Sequence, residues 1–330
     1  MDGMLVAPAS AVPFCLRVPG NVPPGSAGLQ TAVFYKWRNA MRYGFVLPGG
    51  DARLAADLAA EAEAAGWDGI FYPDCISIGD PNNPMPPTYD PWVVLTAMAM
   101  RTERVILGPM VTPLSRRRPW KVARETMTLD RLSIGRLVLP VGLGALDDDG
   151  FGKVGEATDR KARAELLDES LAILAGLWSG KPFRFQGKHF HLEEMTFLPT
   201  PVQTPRIPVW VVGAWPRSKS MERVLRWDGL LPNIINADGS FGETTPEKIG
   251  EMRRFIAEHR PQTTTPFEIV VEGRIPNNDP AQIKAEVQPL AEAGATWWIE
   301  SMWSAPNGPE DARARLRLGP PRPPSSESDG

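Results

Sequence analysis

Residues Arg104 to Gly144 read RVILGPMVTPLSRRRPWKVARETMTLDRLSIGRLVLPVGLG. Val105 to Val111 is an apolar, β-compatible run interrupted by Gly108 and Pro109. Arg136 to Val141 is a second short apolar run. Neither alternates polar with apolar, so each reads as a strand buried on both faces. Between them, Trp120, Val122, Ala123, Met127, Leu129 and Leu132 fall close to helical spacing, with Pro119 at the helix entry. Strand, helix, strand is a βαβ crossover, which makes the two strands parallel. Their carboxyl ends, Val111-Thr112-Pro113 and Gly142-Leu143-Gly144, therefore share one edge. In α/β folds that edge holds the ligand.

Outward from this stretch the same grammar repeats. Strands are expected at Tyr43–Leu47, Asp68–Tyr72, Ile207–Val212, Asp228–Leu231, Pro266–Val271 and Thr296–Glu300. Helical runs lie between them. Leu54–Ala65 ends at Gly66, Asp90 caps the helix through Met100, and Thr244 or Thr245 caps the helix through His259, with Pro246 in its first turn. Phe183 to Leu192, around Gln186-Gly187-Lys188, reads as a β-hairpin outside this alternation. The count is that of a (β/α)8 TIM barrel with a β-hairpin insertion, over residues 41–318. No GxGxxG follows the first strand, which weakens a Rossmann reading. Residues 1–40 and 319–330 read as a disordered extension and a disordered tail by composition.

Composition bounds the function. The 330 residues carry a net charge of −3, with 42% hydrophobic and 23% charged residues. That balance gives no reason to expect nucleic acid or a membrane as partner. Two cysteines, Cys15 and Cys75, do not make a disulfide framework, so a cytoplasmic setting is expected. Chemistry-bearing side chains are few. His189 and His191 lie on the hairpin without a third ligand near in sequence, and GxSxG, HExxH and P-loop motifs are absent. No metal site is expected. Such a chain needs a cofactor to do a hard reaction.

The runs LGPMVTP, RRRPW, TLDRLSIGR and VGLG, in this order, resemble the bacterial luciferase-like monooxygenase family of flavin- and deazaflavin-dependent TIM-barrel oxidoreductases. The phrases MRYGFVLP, EAEAAGWDGIFYPD, LWSGKPFRFQGKHFHL and FLPTPVQTPRIPVWVVGAWP continue the resemblance over about Met41 to Trp303. It implies a flavin-dependent oxidoreductase using reduced FMN and oxygen on a small-molecule substrate, with a flavin reductase as partner and often a homodimer. The alternative it leaves open is hydride transfer by coenzyme F-420. A flavin-binding barrel without turnover is a third reading, and a cofactor-free hydrolase a fourth. Many deazaflavin-dependent relatives carry a His after the Asp of the second strand. Cys75 stands there in this chain, which tilts the expectation to FMN.

The resemblance places the cofactor ring against Met110, Val111 and Thr112, where relatives have a cis peptide or a bulge. It places the phosphate on Gly213, Ala214 and Trp215 at the entry of a helix, where backbone N–H groups suit an anion. Gly142 and Gly144 would let backbone approach the ring or its chain. Asp74 is the expected polar residue at the ring edge and proton handler, with Glu300 as a further acid or base. Arg116, Arg117 and Arg118 could reach an anionic group. Ala145 to Gly155, with three consecutive aspartates, reads as a flexible lid or solvated chain. Deleting residues 1–40 is expected to leave the melting temperature unchanged in calorimetry; a large drop would show that the extension packs on the barrel.

Overall fold

The computed structural model describes residues 41–80, 83–84, 87–260, 265–303, 305 and 308–323. The extension expected at residues 1–40 lies outside them, as does the tail from residue 324. Eight parallel strands are observed: β1 (Arg42–Val46), β2 (Gly69–Tyr72), β3 (Ile106–Pro109), β4 (Leu139–Gly142), β5 (Val209–Trp215), β6 (Gly229–Ile235), β7 (Glu268–Gly273) and β8 (Trp297–Ser301). Each pairs with its sequence neighbours, and β8 returns to β1. Strand β3 closes the ring. Its main run pairs with β2, while its continuation at Thr112–Pro113 pairs with β4. The Met110–Val111 peptide between the two runs is cis.

Helices α1 (Ala52–Ala64), α2 (Pro91–Arg101), α3 (Pro119–Leu132), α4 (Arg160–Trp178), α5 (Ser218–Val224), α6 (Pro246–His259) and α7 (Pro309–Arg317) alternate with the strands. A further helical stretch, Pro280–Gln282 and Gln288–Ala293 around a π-turn at Ile283–Val287, precedes β8. The helix signals work as sequence chemistry demands. Asp90 accepts from the N–H groups of Trp92 and Val93, and Thr245 from that of Lys248. The insertion is a two-stranded antiparallel hairpin, Pro182–Gln186 with His191–Thr196. Its histidines pair with separate carboxylates, His189 with Glu165 and His191 with Glu193.

Most of the apolar core lies between sheet and helices, and a smaller set fills the barrel. Inside, Phe71, Trp210 and Trp297 pack ring against ring, with centroids 5.3 to 6.2 Å apart. A Cβ on Gly44 would stand 2.7 Å from Phe71 and Ile299, so glycine there makes room for the plug. Below it, Arg42 lies over the Trp297 ring and pairs with Glu268.

The chain beyond α7 differs from expectation. Gly319 and Pro321 are buried, and Arg322 donates to the Gly66 carbonyl and the Asp68 carboxylate. The barrel unit therefore runs at least to residue 323. Composition misled because proline reads as linker, whereas Pro321 is buried here. Trp297→Ala should cost about 3–5 kcal/mol in denaturant unfolding, because it empties the plug; a loss under about 1 kcal/mol would show that the barrel interior collapses around the gap.

Candidate active site

At the carboxyl edge the loops after β2, β3 and β4 are tied by buried charge. Asp74, whose carboxylate is 1% exposed, accepts from Arg117 at 2.6 and 3.1 Å and from the Thr112 hydroxyl at 2.9 Å. Arg116, 4% exposed, donates to the Asp74 carbonyl at 3.0 Å and pairs with Asp148. Asp148 also accepts from the backbone N–H groups of Ile76, Ser77 and Gly150. Burial works against its charge, but Arg116 and these N–H groups hold its carboxyl below the usual range. Phe151 is fully buried under Arg116 and Arg163. The aspartate-rich loop is thus pinned at Asp148, Gly150 and Phe151 while the residues around them are largely exposed, and Arg116 and Arg117 direct their charge inside the protein. Arg118 is exposed near Trp120.

Beside this clamp the barrel opens in a cleft of about 270 Å³, lined by Met110, Val111, Val212, Leu231, Pro232, Asn233, Glu272 and Trp303. Strands β3 and β5 supply apolar side chains. Strands β6 and β7 and the chain after β8 supply an amide, a carboxyl and an indole. A groove of about 410 Å³ lies on the helical surface between α2 and α3.

Glu272 is the titratable side chain of the cleft. Residues alternate between the two faces of a strand, so Glu272 shares the inward face of β7 with Val270 and with Glu268 at the barrel floor. Its carboxyl is reachable from the cleft and accepts from the Trp303 indole at 3.2 Å. Protein around the barrel mouth pushes this carboxyl above the usual range, against the pull of hydrogen bonds from Trp303 and Ser301. Sequence reasoning ended β7 at Val271, the last apolar residue, and so missed Glu272 by one position. Asn233 and Trp303 were missed as well. Asn233 lies in the part of β6 that runs four residues past its expected end at Leu231.

Of the residues expected to form the site, Met110 and Val111 line the cleft. Gly142 lies at its wall, where a Cβ would meet Val111 and Val212 at 3.2 and 3.1 Å. The others stand elsewhere. Thr112 is buried with its hydroxyl on Asp74, so it does not offer that group to a ring edge. Asp74 is an ion-pair partner of the clamp rather than a free proton handler. Gly144, at φ +82, sits under Phe151 and Pro113, which would stop a Cβ at 2.5 and 2.8 Å.

Gly213 faces α5, where a Cβ would meet Val224 at 2.9 Å. The Ala214 N–H is taken by the Ser220 hydroxyl at 2.9 Å, and Trp215 packs edge-on against Phe255. None of these three lines the cleft. Glu300 points out of the barrel. It is fully buried against the Ile275 N–H, the Trp298 indole and Arg315 of α7, and burial pushes its carboxyl up although Arg315 opposes the shift. It is a structural carboxyl, not an acid or base of the site. Cys75 is half-buried with its sulfur 3.4 Å from the Thr88 hydroxyl, and burial pushes its thiol up.

Residues 30–322 match the family described as luciferase-like monooxygenase. The chain belongs to that family. This luciferase-like oxidoreductase is 32% identical over 271 residues to an F420-dependent glucose-6-phosphate dehydrogenase of Microbacterium testaceum, covering 74% of this chain and 79% of that one. A protein of the same description from Nakamurella multipartita is 32% identical over 191 residues, 57% of this chain and 54% of its own length, so the chain spans about half of that relative. Among solved structures, the monooxygenase RslO1 from Streptomyces bottropensis has the same fold, with a TM-score of 0.66 and 18% identity over 84% of this chain and 97% of that one. The sequence relatives favour the deazaflavin alternative over the FMN form expected from Cys75.

Among the described residues no helix is long and apolar enough to cross a membrane. Asp74→Ala would leave two buried guanidinium groups without this carboxylate. It is expected to lower stability by about 3–5 kcal/mol in chemical denaturation. Unchanged stability with weakened coenzyme binding would instead return Asp74 to the ligand.

Proposed function

We propose that this luciferase-like oxidoreductase transfers hydride between coenzyme F-420 and a small alcohol or carbonyl compound. The observation that carries the reading is the 32% identity, over 74% of the chain, to a protein described as F420-dependent. The cleft fits a planar ring with one polar edge. Met110, Val111 and Val212 would face the ring, and Gly142 lets these walls stand close. Asn233, Glu272 and Trp303 would meet the ring edge or the substrate. Arg217, exposed just past the carboxyl end of β5, would meet the phosphate-bearing side.

Bound coenzyme supplies the two-electron acceptor that the side chains lack. The protein's share is to bind, to orient and to handle the proton. The substrate class follows from the lining. Among the described residues of the cleft there is no lysine or arginine to meet a phosphate. An uncharged substrate therefore suits this cleft better than the sugar phosphate named for the relatives.

Titration of the purified protein with F-420 and, separately, with FMN, followed by ligand fluorescence, tests the reading. Tight binding of F-420 and weak binding of FMN is expected. The reverse preference would move the protein to the oxygen-using FMN form and make a flavin reductase its partner. Binding of neither would remove both.

A further inference from the structure

We infer that Glu272 is the catalytic residue that exchanges a proton with the substrate's oxygen. The inference rests on the hydride-transfer reading above and adds a role for one side chain. The geometry is specific. Glu272 stands at the carboxyl end of β7, on the inward face, and opens into the cleft between Asn233 of β6 and Trp303 after β8. The other cleft residues are Met110, Val111, Val212, Leu231 and Pro232, none of which titrates.

Rival groups are accounted for. Asp74 and Asp148 are held by Arg116 and Arg117. Glu300 is buried outside the barrel on Arg315. The Cys75 thiol lies against Thr88 and does not line the cleft. The groups facing Glu272 from the neighbouring elements are neutral: the Trp303 indole, the Ser301 hydroxyl and the Asn233 amide. With no opposite charge beside it, the carboxyl sits above its usual range although the residue is exposed at the mouth of the cleft. That brings it toward the pH at which a general acid or base works best.

In the oxidising direction the carbinol C–H bond would break, its electron pair leaving with the hydrogen as hydride to the two-electron acceptor that bound coenzyme would supply. The O–H bond breaks at the same carbon's oxygen, a C=O bond forms, and the hydroxyl proton passes to the Glu272 carboxylate. In the reducing direction protonated Glu272 returns that proton to the new alkoxide oxygen. The sign of the pH dependence follows. Alcohol oxidation needs the carboxylate and rises as pH climbs through the Glu272 pKa; carbonyl reduction needs the acid and falls over the same window.

The test compares wild type with Glu272→Gln. Propan-2-ol and glucose 6-phosphate serve as donors and acetone as acceptor, with F-420 affinity measured in parallel. The variant is expected to bind F-420 within about twofold of wild type, to be slower by about 100-fold or more, and to lose both pH limbs. A second readout needs no coenzyme. The Trp303 indole donates to Glu272, so the difference in tryptophan emission between wild type and Trp303→Phe should titrate with pH. In the Glu272→Gln background it should stay flat. A Glu272→Gln enzyme with wild-type rate and pH limbs, or a Trp303 difference signal that does not titrate, would overturn the assignment. Failure of F-420 to bind wild type, with the signal still titrating, would overturn the hydride-transfer reading instead.

Discussion

The ion-pair cluster of Asp74, Arg116, Arg117 and Asp148 fixes one side of the barrel mouth. It joins the loops after β2, β3 and β4, and nearly all its charge is buried. Buried ions are costly to desolvate, so such a cluster persists only where each charge has its partners and the remaining hydrogen-bonding positions are filled. Here they are, by Thr112 and by the N–H groups of Ile76, Ser77 and Gly150. The consequence is directional. The clamp takes the groups that look most chemical in the sequence and uses them as scaffold. The cleft beside it then depends on residues that look ordinary.

Alternation along each strand distributes the rest. On β7, Glu268 and Glu272 share the inward face. One pairs with Arg42 beneath the aromatic plug, and the other opens into the cleft above it. On β8 the same rule sends Trp297 into the plug and Glu300 outward to Arg315. Phe71, Trp210 and Trp297 fill the barrel between floor and mouth, so the site is a shallow cleft on a packed base and not a channel. Strands β3 and β5 make its apolar side, and the polar groups come from β6, β7 and the chain after β8. A planar, partly polar cofactor matches that division.

Much of this was legible in the chain. The apolar runs without alternation, the helix caps at Asp90 and Thr245 and the hairpin at Gln186-Gly187-Lys188 all follow from local chemistry. So does the approach of Met110 and Val111 to the cleft, through the family resemblance. Strand parity was not legible. Both faces of a barrel strand are buried, so the pattern of apolar residues does not reveal which face points in. Glu300 was therefore placed in the site and Glu272 left out, though each stands at the carboxyl end of its strand.

The sequence by itself determined the order of strands and helices and the class of fold. These depend on interactions between residues near in the chain, which propensity, capping and periodicity record. Only the tertiary structure decided which carboxylates are scaffold and which face the cleft. Asp74 meets Arg117 across 43 residues, and Glu300 meets Arg315 across the gap between barrel and helix. The charge state and reach of a carboxyl are set by whatever packs against it, and for these groups the partners come from elements that local sequence does not bring together.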